Sequence, residues 1–315
     1  MDRLRLIERV RGILRKAEFD ISEPFVSRGF SFDLVARGGE FVLIVKAMLN
    51  IDALREETAI DLKALASSLN AKALVVATHT SRGRLEAGVL YRRHRVPVMC
   101  PETVSDLFLE GVPPYVFAAS GGYYARLDGA LLRNARFGRH SIKDLAEQAG
   151  VSRRAVQMYE EGMGAMLDAA IRLEEFLGIP LIVPLDPFSE TECVEDLRPP
   201  VTGMTALESE VCASLGRIGY KVMLTPRCPF DALTKERAVT YFAAIGKREA
   251  RLIDKVRATG KVARVSGQDS IVFTDVAWRK GCVEGAPVVS KRELERIADP
   301  HDLIALINER KRGSP

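Results

Sequence analysis

Apolar residues at Leu4, Ile7, Val10 and Leu14, separated by arginine and glutamate, recur at helical spacing and predict an amphipathic first helix. The pattern then changes to short apolar runs bounded by turn formers. Phe30 to Val35 predicts a strand, Gly38-Gly39 a hairpin turn, and Phe41 to Ala47 a continuous apolar strand covered on both faces. A helix over 53–69, a buried strand over 73–77, a helix over 85–91, a strand over 96–99 and a helix over 101–109 follow. Strand and helix alternate, which is an α/β layer pattern.

Between 111 and 122 the composition shifts to turn formers, with Pro113-Pro114 and then Ser120-Gly121-Gly122, and this reads as a boundary. Beyond it, the polar and apolar spacing over 141–160 predicts two short helices joined by a sharp turn. Ser141 is placed to cap the first, with Asp144 completing a capping box, and Leu145, Ala146 and Ala149 share its inner face. Gly150 ends that helix and Val151 fills the turn. Ser152 caps the second helix, whose inner stripe is Val156 and Tyr159. Its outer face then displays Arg153, Arg154, Gln157 and Met158.

After a second proline-rich stretch through Pro199-Pro200, the first pattern returns. A helix over 205–218 leads into a strand, Phe230-Asp231 mirrors Phe32-Asp33, and Ile245-Gly246-Lys247 mirrors Ile44-Val45-Lys46. A helix, a strand over 270–274 and Ala286 to Val289, set against Val96 to Met99, complete an internal repeat. The expected organisation is an α/β domain over 1–118, an all-α bundle over 123–184, and a second α/β domain over 200–315.

With 315 residues, 47% of them hydrophobic and 28% charged, the chain is long enough for two or three cores. The net charge of +4 permits nucleic-acid binding without demanding it, so the placement of the arginines decides. Five scattered cysteines (Cys100, Cys193, Cys212, Cys228 and Cys282) form no CxxC pair, which argues against a disulfide framework or a zinc site and suits a reducing cytoplasm. No apolar run reaches the roughly 20 residues of a membrane span. The sequence offers no glycine-rich phosphate loop and no convergent His/Cys set, so no metal, cofactor or small-molecule ligand is expected.

The stretch LLRNARFGRHSIKDLAEQAGVSRRAVQMYEEG resembles the helix-turn-helix of the Cro and phage-repressor type. The resemblance implies a bundle of about five helices, with a first helix over 127–137, a reader helix over 152–161 and a closing helix over 165–177. Such domains often begin the second helix with a phosphate-touching glutamine, and Ile142 stands there. Asp33 followed by Lys46 on the next strand resembles the restriction-endonuclease and Holliday-junction-resolvase fold. Members that cut DNA need a second acid two residues before the lysine to hold magnesium, and here that position is Ile44. Glu40 is acidic but lies in the hairpin. Asp231, Ile245 and Lys247 read as the same vestigial set in the second copy. With FDLVARGGEFVLIVKAMLNIDAL, EGVPPYVFAASGG and YEEGMGAM, nearly the whole chain resembles archaeal Cro-type helix-turn-helix transcriptional regulators, in which degenerate nuclease-like regions surround one reader.

The expected function is therefore sequence-specific regulation on double-stranded DNA by a cytoplasmic homodimer without catalytic residues. Arg153, Arg154 and Gln157 suit guanine and adenine edges in the major groove, and Ser152 with the reader's amino end suits a phosphate. Lys143, Arg136 and Arg139 suit the DNA backbone, or Arg133, Arg136 and Arg139 form a solvated face of the first helix. The Arg82, Arg84, Arg92, Arg93, His94, Arg95 cluster is either a phosphate-touching patch or a solvated surface. The alternatives are a metal-dependent nuclease and an architectural protein that grips DNA by shape.

Overall fold

The computed structural model describes residues 2–27, 29–39, 41–189, 204–237, 239–247, 250–276, 278 and 281–312. In chain order the first elements are α1 (Arg3–Lys16), β1 (Asp20–Ile21), β2 (Leu34–Gly38), β3 (Phe41–Asn50), a 3₁₀ turn (Ile51–Ala53), α2 (Glu56–Ser68), β4 (Lys72–Thr80), β5 (Gly83–Arg84), β6 (Val89–Arg93), β7 (Val96–Met99) and α3 (Pro101–Leu109). The middle holds β8 (Val116–Ala119), β9 (Gly122–Leu127), α4 (Gly129–Arg136), α5 (Ile142–Ala149), α6 (Arg153–Glu160), β10 (Ala165–Met166), α7 (Leu167–Leu177) and β11 (Ile182–Val183). The last part holds α8 (Ala206–Arg217), β12 (Lys221–Leu224), β13 (Ala232–Glu236), β14 (Val239–Ile245), α9 (Ala250–Ser266), β15 (Asp269–Thr274), β16 (Cys282–Val283), β17 (Ala286–Ser290), α10 (Lys291–Arg296) and α11 (Pro300–Arg312). The described residues gather into two compact units. One is drawn from Met1–Ala17, Ala47–Leu54 and Leu74–Thr191, the other from Glu18–Lys46, Arg55–Ala73 and Glu192–Pro315. Glu40, Cys193 and the Pro199-Pro200 linker lie outside the described residues.

In the first of these units the strands follow the order β4-β7-β6-β8-β9-β10, with β5 on β4 and β11 on β9. Buried Leu6, Ile7, Val10, Ile13 and Leu14 of α1 supply one apolar stripe, while Leu4, expected on it, is exposed. Arg9 of α1 donates to Glu102 of α3 at 2.9 Å. The helix expected over 85–91 is absent. Leu85, Val89 and Leu90 mimic helical spacing, yet Val89 and Leu90 pair with Val116 and Phe117 as strand residues. His94 and Arg95 form the two-residue turn that folds β6 back on β7, with Arg93 opposite Val96 and both turn residues at positive φ (50° and 65°). Such turns ordinarily advertise themselves with Asn-Gly or Gly-Gly, so this one is silent in the sequence.

The boundary read over 111–122 is also different in kind. Val116–Ala119 and Gly122–Leu127 form a hairpin whose β8 runs parallel to β6, so the segment is stitched into the sheet. On its other side β9 pairs with β10 (Ala165 opposite Ala125), and the end of β9 pairs with β11 (Ile182 opposite Leu127). The helical bundle over α4 to α7 thus has four helices, and its core of Leu132, Leu145, Ala146, Val156, Tyr159 and Leu173 includes Ala125 and Leu127 of β9.

In the other unit a six-stranded sheet follows the order β12-β13-β14-β15-β17-β16. Strands β12, β13 and β14 are antiparallel, and α9 carries the chain from β14 to a parallel β15, the long crossover that a parallel pair requires. Tyr241, Ala243, Ile245, Ile271 and Phe273 pack with residues of α8, α10 and α11. Ala244, Val272 and Val288 pack with Leu252 and Val256 of α9. This is the alternation a sheet with helices on both faces needs. The β2–β3 hairpin as far as Lys46 belongs to the same unit, with Val35 opposite Ile44. Phe32 meets Phe230 at a ring separation of 6.3 Å, Arg227 donates to Asp61 at 2.7 Å, and Ser31 N–H donates to the Arg227 carbonyl at 2.8 Å.

Candidate nucleic-acid interface

The helix-turn-helix is built locally. The Ser141 hydroxyl accepts from Asp144 N–H at 3.2 Å and the Asp144 carboxylate accepts from Ser141 N–H at 2.7 Å, closing the capping box. The hydrogen bond from Ser141 N–H to the carboxylate, and after it the Ser141 side chain, hold the Asp144 carboxyl below the usual carboxylate range. Gly150 ends α5 at φ 70°, a left-handed conformation for which glycine carries no penalty. Ser152 caps α6 by accepting from Ala155 N–H at 3.1 Å. Gly129 lets α4 approach the end of α6, since a Cβ there would lie 2.5 Å from the Glu160 carbonyl oxygen.

Arg153, Arg154 and Gln157 are exposed together on α6, with Val156 and Tyr159 buried behind them. Ser152 is also exposed, at the amino end where α6 presents its unpaired backbone N–H groups. Met158, expected on the outer face, is half-buried. Lys143 is exposed and faces Glu147 at 3.5 Å on its own helix, and Arg139 is exposed just beyond α4. Phe137, beside them, has 80% of its surface exposed.

Arg136 is the residue whose expected role changes. Its Nε donates to Glu160 Oε1 at 2.6 Å and its Nη2 to Oε2 at 3.2 Å, while the Glu160 side chain is only 7% exposed. Arg133 reaches the same carboxylate at 3.5 Å. A two-pronged guanidinium–carboxylate bond is strong and geometrically fixed, so Arg136 ties α4 to α6 and its fork is engaged there. Sequence reading missed Glu160. The only available signal was an acid on α6 at a position that turns back toward a basic first helix.

The aspartate–lysine pairs form the other candidate site. Asp33 is wholly buried, and Lys46 Nζ donates to its Oδ1 at 3.3 Å and to the Phe30 carbonyl at 2.6 Å. Ile44, on the same strand, is buried. In the six-stranded sheet Asp231, expected to face Lys247, is met by a different residue. Lys255 of α9 donates to both carboxylate oxygens at 2.8 Å and to the Ile245 carbonyl at 3.2 Å, while Ile245 N–H donates to Asp231 at 2.7 Å. Burial, outweighing the lysine, raises the Asp231 carboxyl above its ordinary value.

The strand registers explain the discrepancy. Asp33 N–H bonds the Val45 carbonyl and Asp231 N–H bonds the Ala243 carbonyl, so Val45 matches Ala243, Ile44 matches Phe242, and Lys46 matches Ala244. The sequence alignment of Ile245 with Ile44 and Lys247 with Lys46 was three residues out of step. Lys247 is exposed. The strand position that would carry the second carboxylate for a catalytic magnesium is isoleucine beside Asp33 and phenylalanine beside Asp231, and an ammonium group faces each aspartate. Among the described residues no group of three or more His, Cys, Asp or Glu side chains is arranged to hold a metal ion.

Comparison with known proteins fits this geometry. A PD-(D/E)XK superfamily domain matches residues 3–114 and a helix-turn-helix matches residues 139–183. A protein of Methanocella arvoryzae named "Putative HTH-type transcriptional regulatory protein" is 35% identical over 99% of this chain and 98% of its own length. Proteins bearing the same description in Halobacterium salinarum and Halorubrum lacusprofundi are each 36% identical, over 98% and 99% of this chain and 98% and 99% of their own lengths. This chain belongs to that family of HTH-type regulatory proteins. No solved structure matches it. The family's helix-turn-helix region spans α5 to α7 here and so includes Ser152, Arg153, Arg154 and Gln157. The nuclease-like match holds Asp33 and Lys46, and the second pair, Asp231 and Lys255, lies beyond it. Among the described residues no helix of this family member is long and apolar enough to cross a membrane.

Proposed function

We propose that the chain is a sequence-specific transcription regulator that reads duplex DNA through the major groove with α6. The observation that carries this reading is the joint exposure of Arg153, Arg154 and Gln157 on a helix whose opposite stripe is buried and whose amino end is capped by Ser152. Arginine forks match the paired acceptors of guanine and glutamine amides match adenine. The amino end of α6 docks a phosphate, and Lys143 and Arg139 add backbone affinity that carries no sequence information. Arg136 acts indirectly, by holding Glu160.

The reading extends to the whole chain. It is organised as a nuclease-like domain over 1–118, the reader domain over 123–184 and a second nuclease-like domain over 200–315. The flanking domains serve dimerisation or partner and DNA contact without cleavage, and the protein works in the cytoplasm. Two copies read half-sites about 34–36 Å apart, the spacing such domains impose when they pair about a twofold axis.

Selection of bound sequences from a random duplex pool should yield a two-part motif. Arg154→Ala should then weaken binding to that motif by about 1–3 kcal/mol and relax preference at one base, as measured by fluorescence anisotropy. Equal loss on every duplex would sink base reading and favour shape recognition. Supercoiled plasmid incubated with magnesium or manganese should stay intact; cutting that disappears in Asp33→Ala would revive the nuclease alternative.

A further inference from the structure

Helix α9 carries five basic residues, Arg251, Lys255, Arg257, Lys261 and Arg264, against the single acid Asp254, a net charge of +4 that equals that of the whole chain. Helix α2, which follows the β2–β3 hairpin as α9 follows the β13–β14 hairpin, has three acids (Glu56, Glu57 and Asp61) against one lysine, Lys63. Every exposed position of α9 is charged: Arg251, Asp254, Arg257, Lys261 and Arg264. Arg257 is held by Glu284 at 2.9 Å and lies 3.8 Å from Asp254, whereas the Lys261 and Arg264 side chains make no hydrogen bond or ion pair with any described residue. Residues three and four apart are neighbours on a helix, so Arg257, Lys261 and Arg264 line one face and Gly260 lies between Arg257 and Arg264. A Cβ at Gly260 would meet nothing within 4 Å. Glycine is less stable than alanine in a helix interior, and packing does not require it here. What it leaves is a low point in the helix surface bordered by cations. Just past the end of α9, Arg37 of β2 lays its guanidinium over Gly267 and adds a further positive charge.

We propose that this face of α9 grips the phosphate backbone of duplex DNA without reading its bases. The inference rests on the reading of α6 as a DNA reader and gives the chain a second, sequence-independent anchor. From Arg257 to Arg264 the helix rises roughly 10 Å, along which a DNA strand presents a phosphate about every 3.4 Å of duplex axis. Lys261 and Arg264 supply the charge, and the open surface at Gly260 lets the sugar–phosphate chain come against the helix. The same chemistry disfavours other anionic partners. A helix that lies on a membrane inserts an apolar face, but Leu252 and Val256 of α9 are packed in the core and its exposed positions are all charged. Single strands are held by stacking on aromatic side chains, and α9 has none.

The test uses the full chain and a labelled duplex of mixed sequence, with binding read by fluorescence anisotropy across a range of salt concentrations. Lys261→Gln combined with Arg264→Gln should weaken binding on every sequence and flatten the slope of log affinity against log salt by about 1 for each residue changed. Gly260→Leu keeps the charge and suits a helix, and should weaken binding several-fold by blocking the approach. Arg15→Gln combined with Lys16→Gln makes the same charge change at exposed positions of α1 and should leave the slope unaltered. An unchanged slope in the α9 double variant, or equal flattening in the α1 variant, would overturn the contact, and wild-type binding by Gly260→Leu would overturn the close approach. The motif selected from a random pool should be the same for the α9 double variant and the wild type; a changed motif would overturn a contact with the backbone alone. Wild-type binding with no effect of the α9 changes removes this anchor and leaves the reading of α6 intact, whereas a wild type that binds no duplex at any salt overturns both.

Discussion

The two aspartate–lysine pairs solve one electrostatic problem by different routes. Asp33 is met by a lysine two residues past Ile44 on the neighbouring strand, whereas Asp231 is met from helix α9, because its strand carries Ala244 at the corresponding place. The helix position itself is exchanged: the sixth residue of α9 is Lys255, and the sixth residue of α2 is Asp61, which accepts from Arg227 instead. Each site sets an aspartate, wholly buried in one and half-buried in the other, beside a lysine, and the facing strand carries Ile44 in one and Phe242 in the other where a second carboxylate would stand. A buried carboxylate without compensation is costly, and that requirement can be met by a lysine arriving from either direction. A metal site is less forgiving, since it fixes where its donors stand.

The comparison breaks most visibly at Lys46. Lys46→Met removes the ammonium facing a fully buried carboxylate and should destabilise the protein by about 3–5 kcal/mol, the usual result of breaking a buried pair, as read by urea denaturation. Lys255→Met should cost less, about 1–2 kcal/mol, because the Asp231 side chain is 16% exposed and keeps the Ile245 N–H. Equal losses would mean that the route of the lysine is irrelevant to how deeply the pair is buried. The smallest effect separates the pairs by pH. Burial raises the Asp231 carboxyl, so its contribution is fully present below the ordinary value of 3.8 and is lost as pH rises through the raised one. The stability of the wild type relative to Asp231→Asn should therefore fall on going from pH 3 to pH 7. A difference that grows in favour of the wild type would show that the lysine outweighs burial.

The local elements were legible wherever a short stretch carries its own instructions. The capping box at Ser141, the glycine stop at Gly150 and the Ser152 cap define α5 and α6 without help from elsewhere, and the exposed Arg153, Arg154 and Gln157 follow from helical geometry. Elements defined by distant partners were not legible. Leu85 to Tyr91 carries helix-like spacing, but its part from Val89 onward becomes strand because β7 and β8 are there to pair with it. The register of β14 against β13 depends on hydrogen bonds that no residue type announces, which is why Lys247 was mistaken for the counterpart of Lys46. Lys255 stands one helix away from the aspartate it meets, and Arg136 reads as a free arginine until Glu160 is brought across from α6.

The strand β9 has a practical consequence for anyone who cuts the molecule. A fragment beginning at Gly122 would keep β10 and β11 paired with β9 and lose β8. The bared edge would offer its backbone to any passing chain, an invitation to aggregate. Beginning the fragment before Val116 keeps the hairpin whole but parts β8 from β6, so the exposed edge moves by one strand and is covered only when β6 comes with it.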